Sequence, residues 1–204
     1  MQDYQFIAPF YDFLLGPFMR SIRRDVLETV LELQPGNVLD VACGTGDQLR
    51  LLTGNGIDAV GVDMSEAMLK ICRKANTTSD CILQDATEMA FQDERFALAM
   101  ISFALHETGW ETAQKILKEI HRVLKPSGHL LVVDYTDFRE TPFYVRQSIR
   151  MIEFMAGRRH FGNFRTYHHR GGLNTLIDKE RFGSVTSSLR ASRSIALQLF
   201  ISLA

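Results

Sequence analysis

The sequence predicts an α/β fold: a seven-stranded, mostly parallel sheet with helices on both faces and an antiparallel hairpin at its C-terminal end. Two observations predict it. Apolar segments of about four to eight residues, bounded by Gly, Pro or charged residues, alternate with segments of helical periodicity. This alternation is typical of parallel strands connected by helices. Apolar and polar residues then alternate on both sides of Ala191–Ser194, which predicts the terminal hairpin.

Five of the apolar segments are the predicted parallel strands. Ser65 is the expected N-cap of a helix after the second strand, and Pro126 with Gly128 is expected to end the helix before the fifth. Ligands of open α/β sheets bind at the carboxyl ends of the strands, so the residues that follow each strand are the candidate site. The five segments are Asn37–Ala42, Ile57–Asp63, Cys81–Gln84, Phe96–Phe103 and His129–Tyr135.

The regions before the first strand and after the fifth do not follow the alternation. Ile7–Leu33 has helical periodicity with an expected break at Pro17, and residues 137–183 have room for two helices. A chain of 204 residues suits one domain with a sizeable core. We therefore expect a single domain over residues 1–204, in which residues 1–35 form an N-terminal helical lid and residues 137–183 form a helical cap.

The composition narrows the classes of partner. The net charge of −1 provides no general field for nucleic acid, and no apolar segment approaches the roughly 20 residues that span a bilayer. The N-terminus lacks a basic region followed by an apolar one, so a cytoplasmic protein is expected. Cys43, Cys72 and Cys81 are expected to be free thiols. Since no short Cys/His ligand pair stands opposite another, no metal is expected.

Segments at three successive strand ends indicate a nucleoside site. Val38–Asp47 runs from a strand through small residues into a helix, so its backbone can approach a ligand and the helix start favours an anionic group. Asp63 ends the second strand, where a carboxylate can accept both hydroxyls of a ribose. Gln84–Ala86 ends the third strand, and the Asp85 side chain can hold an exocyclic amine.

The same segments distinguish among nucleotide cofactors. The sequence Gly44-x-Gly46-x-x-Leu49 lacks the last small residue of the dinucleotide fingerprint, and Leu49 is expected to obstruct the helix packing of a pyrophosphate site. No Gly-Lys-Ser/Thr sequence indicates a triphosphate loop. A nucleoside that carries a carboxylate fits better, and S-adenosylmethionine is one.

The chain resembles the class I methyltransferases, which use S-adenosylmethionine on a Rossmann-like sheet. Their first motif, Asp/Glu-x-Gly-x-Gly-x-Gly, is matched by Asp40-x-Ala42-x-Gly44-x-Gly46, with Ala at the first Gly position. Within the class, the chain is most similar to the ubiquinone/menaquinone-biosynthesis methyltransferases of the type 11 group. The resemblance covers residues 8–135, and its other segments are Ala8–Asp12, Gly61–Leu69, Ile101–Leu105 and Arg122–Gly128.

The resemblance implies a role for each matching position. The glycine-rich turn would surround the methionine part of the cofactor, the second strand end would bind the ribose and adenine, and the third strand end would hold the adenine edge. Tyr4 and Tyr11 are placed to close over the cofactor from the N-terminal segment. The expected cofactor-binding residues are Asp40, Gly44, Thr45, Gly46, Asp63, Met64, Asp85, Ala86, Ser102 and Tyr11.

The acceptor is expected beside the end of the fourth strand. The quinone enzymes continue Ser-Phe-Gly-Leu with Arg-Asn, whereas His106-Glu107 stands here, which argues against a quinone. His106 is the candidate general base. Aromatic residues of the lid and cap predict an apolar pocket, and four cap arginines predict an anion-binding rim. The pocket residues are Phe6, Phe10, Tyr11, Phe13, Phe143, Tyr144, Phe154, Phe161 and Phe164, together with Met155, and the rim residues are Arg158, Arg159, Arg165 and Arg170.

The predicted function is methyl transfer from S-adenosylmethionine to a small-molecule acceptor by in-line displacement. The acceptor is expected to be partly apolar, aromatic or acidic, and not a nucleic acid. Two alternatives remain open. One is a catalytically silent S-adenosylmethionine-binding or regulatory protein. The other is a nicotinamide-dependent oxidoreductase, which Leu49 and the terminal hairpin disfavour.

Overall fold

The computed structural model describes the backbone of residues 4–75 and 80–203, and the side chains of residues 19–75 and 80–203. The side chains of Tyr4, Phe6, Phe10, Tyr11 and Phe13 therefore lie outside the described residues. The contact of Tyr11 with the cofactor stays a prediction, as does the part of the aromatic pocket assigned to the lid.

Helices and strands alternate through the first two thirds of the chain, as the sequence predicts. The helices are α1 (Tyr4–Leu33), α2 (Asp47–Gly54), α3 (Glu66–Ala75), α4 (Trp110–Val123), α5 (Phe143–Met155), α6 (Arg158–His169) and α7 (Leu173–Leu176). The strands are β1 (Val38–Val41), β2 (Ala59–Asp63), β3 (Asp80–Leu83), β4 (Phe96–Ser102), β5 (Leu124–Tyr135), β6 (Phe182–Arg190) and β7 (Ile195–Ser202).

The seven strands form one sheet in the order β3-β2-β1-β4-β5-β7-β6. The first five strands pair in parallel, and β7 lies antiparallel between β5 and β6. The predicted fold class and the terminal hairpin are confirmed. The strand order reverses at β1, which lies between β2 and β4. A crevice therefore opens beyond the carboxyl ends of β1 and β4, where sheets of this kind bind ligands.

Apolar side chains cover both faces of the sheet. Alternate residues of β1 belong to different clusters: Val38 packs with α1, α2 and α3, whereas Leu39 and Val41 pack with α4 and α7. All four residues of β1 are buried, including Asp40. A polar residue buried on a central strand indicates a functional position, because burial of a carboxylate is costly unless it has a partner.

Two local predictions are wrong. The helix α1 continues through Pro17, since a proline removes one backbone hydrogen bond and need not end a helix whose other turns are intact. Cys72 and Cys81 form a disulfide, and Cys43 is the free cysteine of the described residues. Cys72 lies on the buried face of α3 and Cys81 at a buried position of β3, so the packing of α3 on β3 brings them together.

None of the described helices is both long and apolar enough to cross a membrane.

Candidate active site

The loop after β1 is built from backbone conformations that favour glycine. Ala42, Gly44 and Gly46 all have positive φ, at 59°, 56° and 74°. Gly46 is also the N-cap of α2, so the loop leads directly into the start of this helix. Ala42 stands at the motif's first Gly position and adopts the left-handed conformation in spite of its Cβ.

Gly61 makes room for this loop, a role that the sequence analysis missed. A Cβ atom at Gly61 would lie 2.7 Å from Cys43 Sγ and 3.0 Å from Leu49 Cδ2. The bulk of Leu49, at the position where the dinucleotide fingerprint has a small residue, is therefore accommodated by a glycine on the neighbouring strand. The sequence does contain a signal for this role, because a glycine inside an apolar strand often marks the close approach of another segment.

Asp63 connects the glycine-rich loop to the end of β2. Its Oδ2 accepts a hydrogen bond from Gly44 N at 2.8 Å, and its Oδ1 accepts one from Ser65 N at 2.8 Å. Each carboxylate oxygen has a second acceptor position, so these bonds leave capacity for hydroxyl donors. Asp63 thus holds two loops in place at the position predicted to bind ribose.

Asp40 is a buried carboxylate, only 3% exposed, that lines a cavity of about 160 Å³. Burial and the charge of Asp63 raise the pKa of Asp40 to about 7, against the opposing effect of Arg23. No donor among the described residues forms a hydrogen bond with its carboxylate. The cavity is lined by Met19, Ile22, Arg23, Val26, Asp40, Ala42, Cys43, Thr45, Asp47, Gln48, Ser102 and Phe103. This arrangement suits a ligand that brings an ammonium group.

The part of the site that is predicted to hold the adenine ring is more exposed than the cavity at Asp40. Met64 is 63% exposed at the end of β2, where it can pack on a flat ring. Asp85 is exposed, and its Oδ1 accepts hydrogen bonds from Thr87 N at 2.8 Å and Thr87 Oγ1 at 2.7 Å. These bonds lower the pKa of Asp85. Ala86 packs against the core. The structure therefore brings the predicted positions to one edge of the sheet.

A second cavity, of about 470 Å³, adjoins the first. Met19, Arg23 and Phe103 line both cavities. Phe103, directly after β4, has a φ of 54°, a strained conformation of the kind found at ligand sites. The second cavity is mostly apolar and is lined chiefly by β4–β5 strand ends, α5 and the hairpin turn. Its other residues are His106, Glu107, Tyr135, Tyr144, Val145, Ser148, Ile149, Ile152, Glu153, His160, Ala191, Ser192, Ser194 and Ile195.

His106 lies in the wall of this second cavity and is 4% exposed. Its Nδ1 lies 2.6 Å from Asp134 Oδ1, and its Nε2 lies 3.7 Å from Glu153 Oε2. Burial lowers the pKa of His106, but the charge and hydrogen bond of Asp134, together with Glu153 and Glu107, raise it above its ordinary value. An imidazole between two carboxylates is better suited to carry a positive charge than to accept a proton at neutral pH. The role of general base stays a prediction.

Asp134 fixes the loop that carries His106. Its Oδ2 accepts hydrogen bonds from the backbone N–H groups of Leu105, at 3.1 Å, and His106, at 3.3 Å. Asp134 is 1% exposed and comes one residue before the end of β5. The sequence analysis missed it, although the search of strand ends that found Asp63 and Asp85 applies equally to β5.

Glu153 and His160 were also missed as site residues. Glu153 is 1% exposed on α5; its Oε1 accepts a hydrogen bond from the Tyr135 hydroxyl at 2.9 Å, and its Oε2 pairs with His160 Nε2. His160 Nδ1 lies 3.3 Å from Glu107 Oε2. Burial lowers the pKa of His160, and its bonds to Glu107 and Glu153 raise it to about 9. The signal for Glu153 was a carboxylate in an apolar stretch of helix.

The predicted arginine rim is wrong. Arg158, Arg159, Arg165 and Arg170 are exposed and do not line either cavity. They occupy the outer surface of α6 and its C-terminal end, while the same helix turns His160 inward. Of the predicted cap aromatics, Tyr144 lines the second cavity, although it is 70% exposed. Four others do not line it: Phe143, Phe154, Phe161 and Phe164.

The comparisons with known proteins agree with this geometry. A family model described as a methyltransferase domain matches residues 39–132. A demethylmenaquinone methyltransferase of Thermus thermophilus is 31% identical over 177 residues, which cover 80% of this chain and 79% of that protein. The chain belongs to the S-adenosylmethionine-dependent methyltransferases. The resemblance read from the motifs is confirmed, and S-adenosylmethionine is the cofactor of the family.

Solved structures show the same fold. The plantazolicin methyltransferase BpumL in complex with S-adenosylhomocysteine superposes with a TM-score of 0.69 at 15% identity, covering 100% of this chain and 91% of that one. The N-methyltransferase NodS of Bradyrhizobium japonicum gives a TM-score of 0.66 at 16% identity, covering 92% and 98%.

Not every relative is matched over its full length. The demethylmenaquinone methyltransferase of Renibacterium salmoninarum is 34% identical over 159 residues, and this chain spans 66% of it. The chain spans 49% of the corresponding protein of Thermotoga maritima.

Proposed function

We propose that this methyltransferase transfers a methyl group from S-adenosylmethionine to a small molecule bound in the second cavity. The observation that carries the proposal is the contact between the two cavities, which share Met19, Arg23 and Phe103. A donor in the first cavity and an acceptor in the second would meet at this shared wall. In-line displacement requires that arrangement of the two reactants.

The residues in the first cavity and in the loops beside it fit S-adenosylmethionine. Asp40 offers a buried acceptor for its ammonium group, the loop of Gly44 and Gly46 leaves its backbone open to close approach, and Asp63 stands where the ribose hydroxyls would lie. When bound, the cofactor supplies an activated methyl group on a sulfonium. In this proposal Ser102 and Thr45 orient the donor, and Phe103 excludes water from the wall that the two cavities share.

The second cavity defines the class of acceptor that we propose. Val145, Ile149 and Ile152 give it an apolar side, and His106, Glu153 and His160 give it a polar one. This suits a small, partly apolar molecule, such as a phenol or an aromatic hydroxy acid. The relatives named demethylmenaquinone methyltransferases suggest a quinone-derived acceptor. We place it second, since His106-Glu107 stands where those enzymes typically have Arg-Asn. Residues 1–35 and 137–183 act, in this proposal, as the lid and cap over the acceptor.

The test is turnover with a panel of acceptors. The protein is incubated with S-adenosylmethionine and simple phenols, aromatic hydroxy acids or reduced naphthoquinones, and S-adenosylhomocysteine is measured. We expect saturable production with a phenolic or hydroxy-acid acceptor. Binding of S-adenosylhomocysteine without production above the acceptor-free rate for any class would favour a silent cofactor-binding protein.

A further inference from the structure

His106, Glu153 and His160 form a compact group at the polar side of the second cavity. Each offers one ligand atom, and these atoms all lie within 4.8 Å of one another. His106 comes from the loop after β4, Glu153 from α5 and His160 from α6, so three separate elements direct these groups to one point. We propose that this group binds a divalent first-row transition ion, with Zn²⁺ the best fit.

The surroundings of the two histidines support a metal site. His106 Nδ1 lies 2.6 Å from Asp134 Oδ1, and His160 Nδ1 lies 3.3 Å from Glu107 Oε2. In both rings the other nitrogen faces Glu153. Metal-binding histidines almost always have a carboxylate, carbonyl or water on the nitrogen that does not bind the metal, because this partner sets the tautomer and the ring orientation. Both histidines already have such a carboxylate.

Glu153 is held in the same way. Its Oε1 accepts the Tyr135 hydroxyl at 2.9 Å, while its Oε2 faces the two imidazoles. The hydrogen bond orients the carboxylate, so that one oxygen is directed to the point where the ligand atoms converge. Three anionic side chains, Asp134, Glu153 and Glu107, therefore surround two imidazoles in a largely buried region. A divalent cation bound to the neutral forms of the two imidazoles would take the place of their protons in compensating this negative charge.

The donor set indicates the kind of ion. Two imidazole nitrogens and one carboxylate oxygen suit Zn²⁺, Fe²⁺ or a similar ion, whereas Mg²⁺ and Ca²⁺ prefer oxygen ligands alone. Bonds of about 2.0–2.2 Å to one ion require two small movements. Ligand atoms that lie near the 4.8 Å limit must come closer together, and the direct contact between His160 Nε2 and Glu153 Oε2 must open to admit the ion. Three protein ligands leave a coordination position, and the second cavity borders all three.

The first experiment measures metal binding in the full chain without a histidine tag and without acceptor. Chelator-treated protein is titrated calorimetrically with Zn²⁺ and with Mg²⁺, and Co²⁺ is followed by its visible absorption. We expect about one equivalent of Zn²⁺ or Co²⁺ at micromolar affinity or tighter, and no saturable binding of Mg²⁺. A hydrogen-bonded cluster with no metal role would bind no stoichiometric Zn²⁺ or Co²⁺, and that result overturns the proposal.

Variants locate the ion. His160→Gln and Glu153→Gln should abolish or strongly weaken Zn²⁺ binding and the Co²⁺ spectrum. Glu107→Gln, which changes the carboxylate partner of His160 but none of the three proposed ligands, should weaken Zn²⁺ binding by about 10–100-fold. The matched control is His169→Gln, which removes an exposed histidine from the same helix and should bind Zn²⁺ as the unchanged protein does. Undiminished binding by both His160→Gln and Glu153→Gln would place the ion elsewhere and overturn the proposal.

Two measurements keep folding and function separate from metal binding. Thermal melting and S-adenosylhomocysteine affinity show whether each variant is folded with an intact donor site. Variants that lose Zn²⁺ but keep both properties support the proposal; if a variant unfolds, the Co²⁺ spectrum of the unchanged protein and the Glu107→Gln variant decide. The proposal rests on the proposed function only in placing the ion beside the acceptor. Turnover by a protein that shows no stoichiometric Zn²⁺ binding in the titration would refute the metal site alone, and Zn²⁺ binding without turnover of any acceptor class would refute the proposed function alone.

Discussion

The two cavities are built in different ways. The donor site is shaped on one side by backbone conformation: a loop with three positive φ angles, the start of α2 and an aspartate that accepts two N–H groups. Side chains of α1 line its other side. The acceptor cavity is made of side chains from strands, helices and a hairpin turn that are far apart in sequence. A site whose shape depends on backbone conformation tolerates few substitutions, which suits a cofactor that is common to a family. A side-chain site can change residue by residue, which suits an acceptor that differs among relatives.

The largest effect is expected where the donor cavity depends on a glycine. In Gly46→Val, a β-branched residue would have to adopt a φ of 74° at the N-cap of α2. We expect S-adenosylhomocysteine binding to fall by more than about 100-fold by calorimetry, since both the loop and the space for the ligand are changed.

The matched control is Gly54→Val at the other end of α2, where nothing lies within 4 Å of an added Cβ. It should bind nearly as the unchanged protein does. Normal binding by a folded Gly46→Val protein would show that this loop is not the donor site.

The next effect concerns the carboxylate that joins the two donor loops. Asp63→Ala removes the acceptor for Gly44 N and Ser65 N as well as the proposed ribose contact. We expect a loss of about 2–3 kcal/mol in S-adenosylhomocysteine binding, or roughly 30–150-fold. Asp58→Ala, at an exposed aspartate before the same strand, is the control. Equal affinities of the two variants would remove Asp63 from the site.

These differences explain how much could be predicted from the sequence. The residues predicted to bind the donor stand at or near the ends of consecutive strands, so local pattern was sufficient to select Asp63 and Asp85, and the resemblance of the first motif was sufficient to select Asp40. Finding the group of His106, Glu153 and His160 requires knowledge of which faces of α5 and α6 point inward. His160 is adjacent to two exposed arginines in sequence, and only the rotation of α6 separates them. Local charge therefore suggested an anion-binding rim where the fold instead buries a histidine.

The ionisation of Asp40 predicts a pH effect on the donor side. Its pKa is raised to about 7, and only the ionised carboxylate attracts the cofactor's ammonium group. As pH falls through 7 the carboxylate becomes protonated, so S-adenosylhomocysteine affinity should weaken by roughly twentyfold between pH 7.5 and 5.5. Asp40→Asn should bind weakly at both values and lose most of this dependence. A pH-independent affinity in the unchanged protein would contradict a role for Asp40 in holding the ammonium group.

A bulky residue on the acceptor side should separate the two cavities functionally. Ile152 lines the second cavity only, so Ile152→Trp should fill part of the acceptor's space. We expect the acceptor KM to rise by about tenfold while S-adenosylhomocysteine affinity is unchanged. Met151→Trp, at an exposed neighbouring position, is the control and should leave both values unchanged. An equal loss of donor affinity in Ile152→Trp would show that the two cavities are not independent.

The smallest effect tests the strain at the start of the donor loop. Ala42 has a φ of 59°, a conformation that glycine adopts without a Cβ penalty and that the motif normally fills with glycine. Ala42→Gly relieves this strain but increases the freedom of the unfolded chain, so the net gain should be about 0.5–1 kcal/mol in the free energy of unfolding. For a domain of this size that corresponds to a rise in Tm of about 1–4 °C by calorimetry. The same substitution at Ala67, exposed in the first turn of α3, has no strain to relieve and should lower stability by up to about 1 kcal/mol, because glycine is less favourable than alanine in a helix. Two substitutions of identical chemistry should thus change stability in opposite directions. A loss of stability in Ala42→Gly would mean that the loop accommodates alanine without strain, and that its conformation is set by the hydrogen bond from Gly44 to Asp63 and not by the residue at position 42.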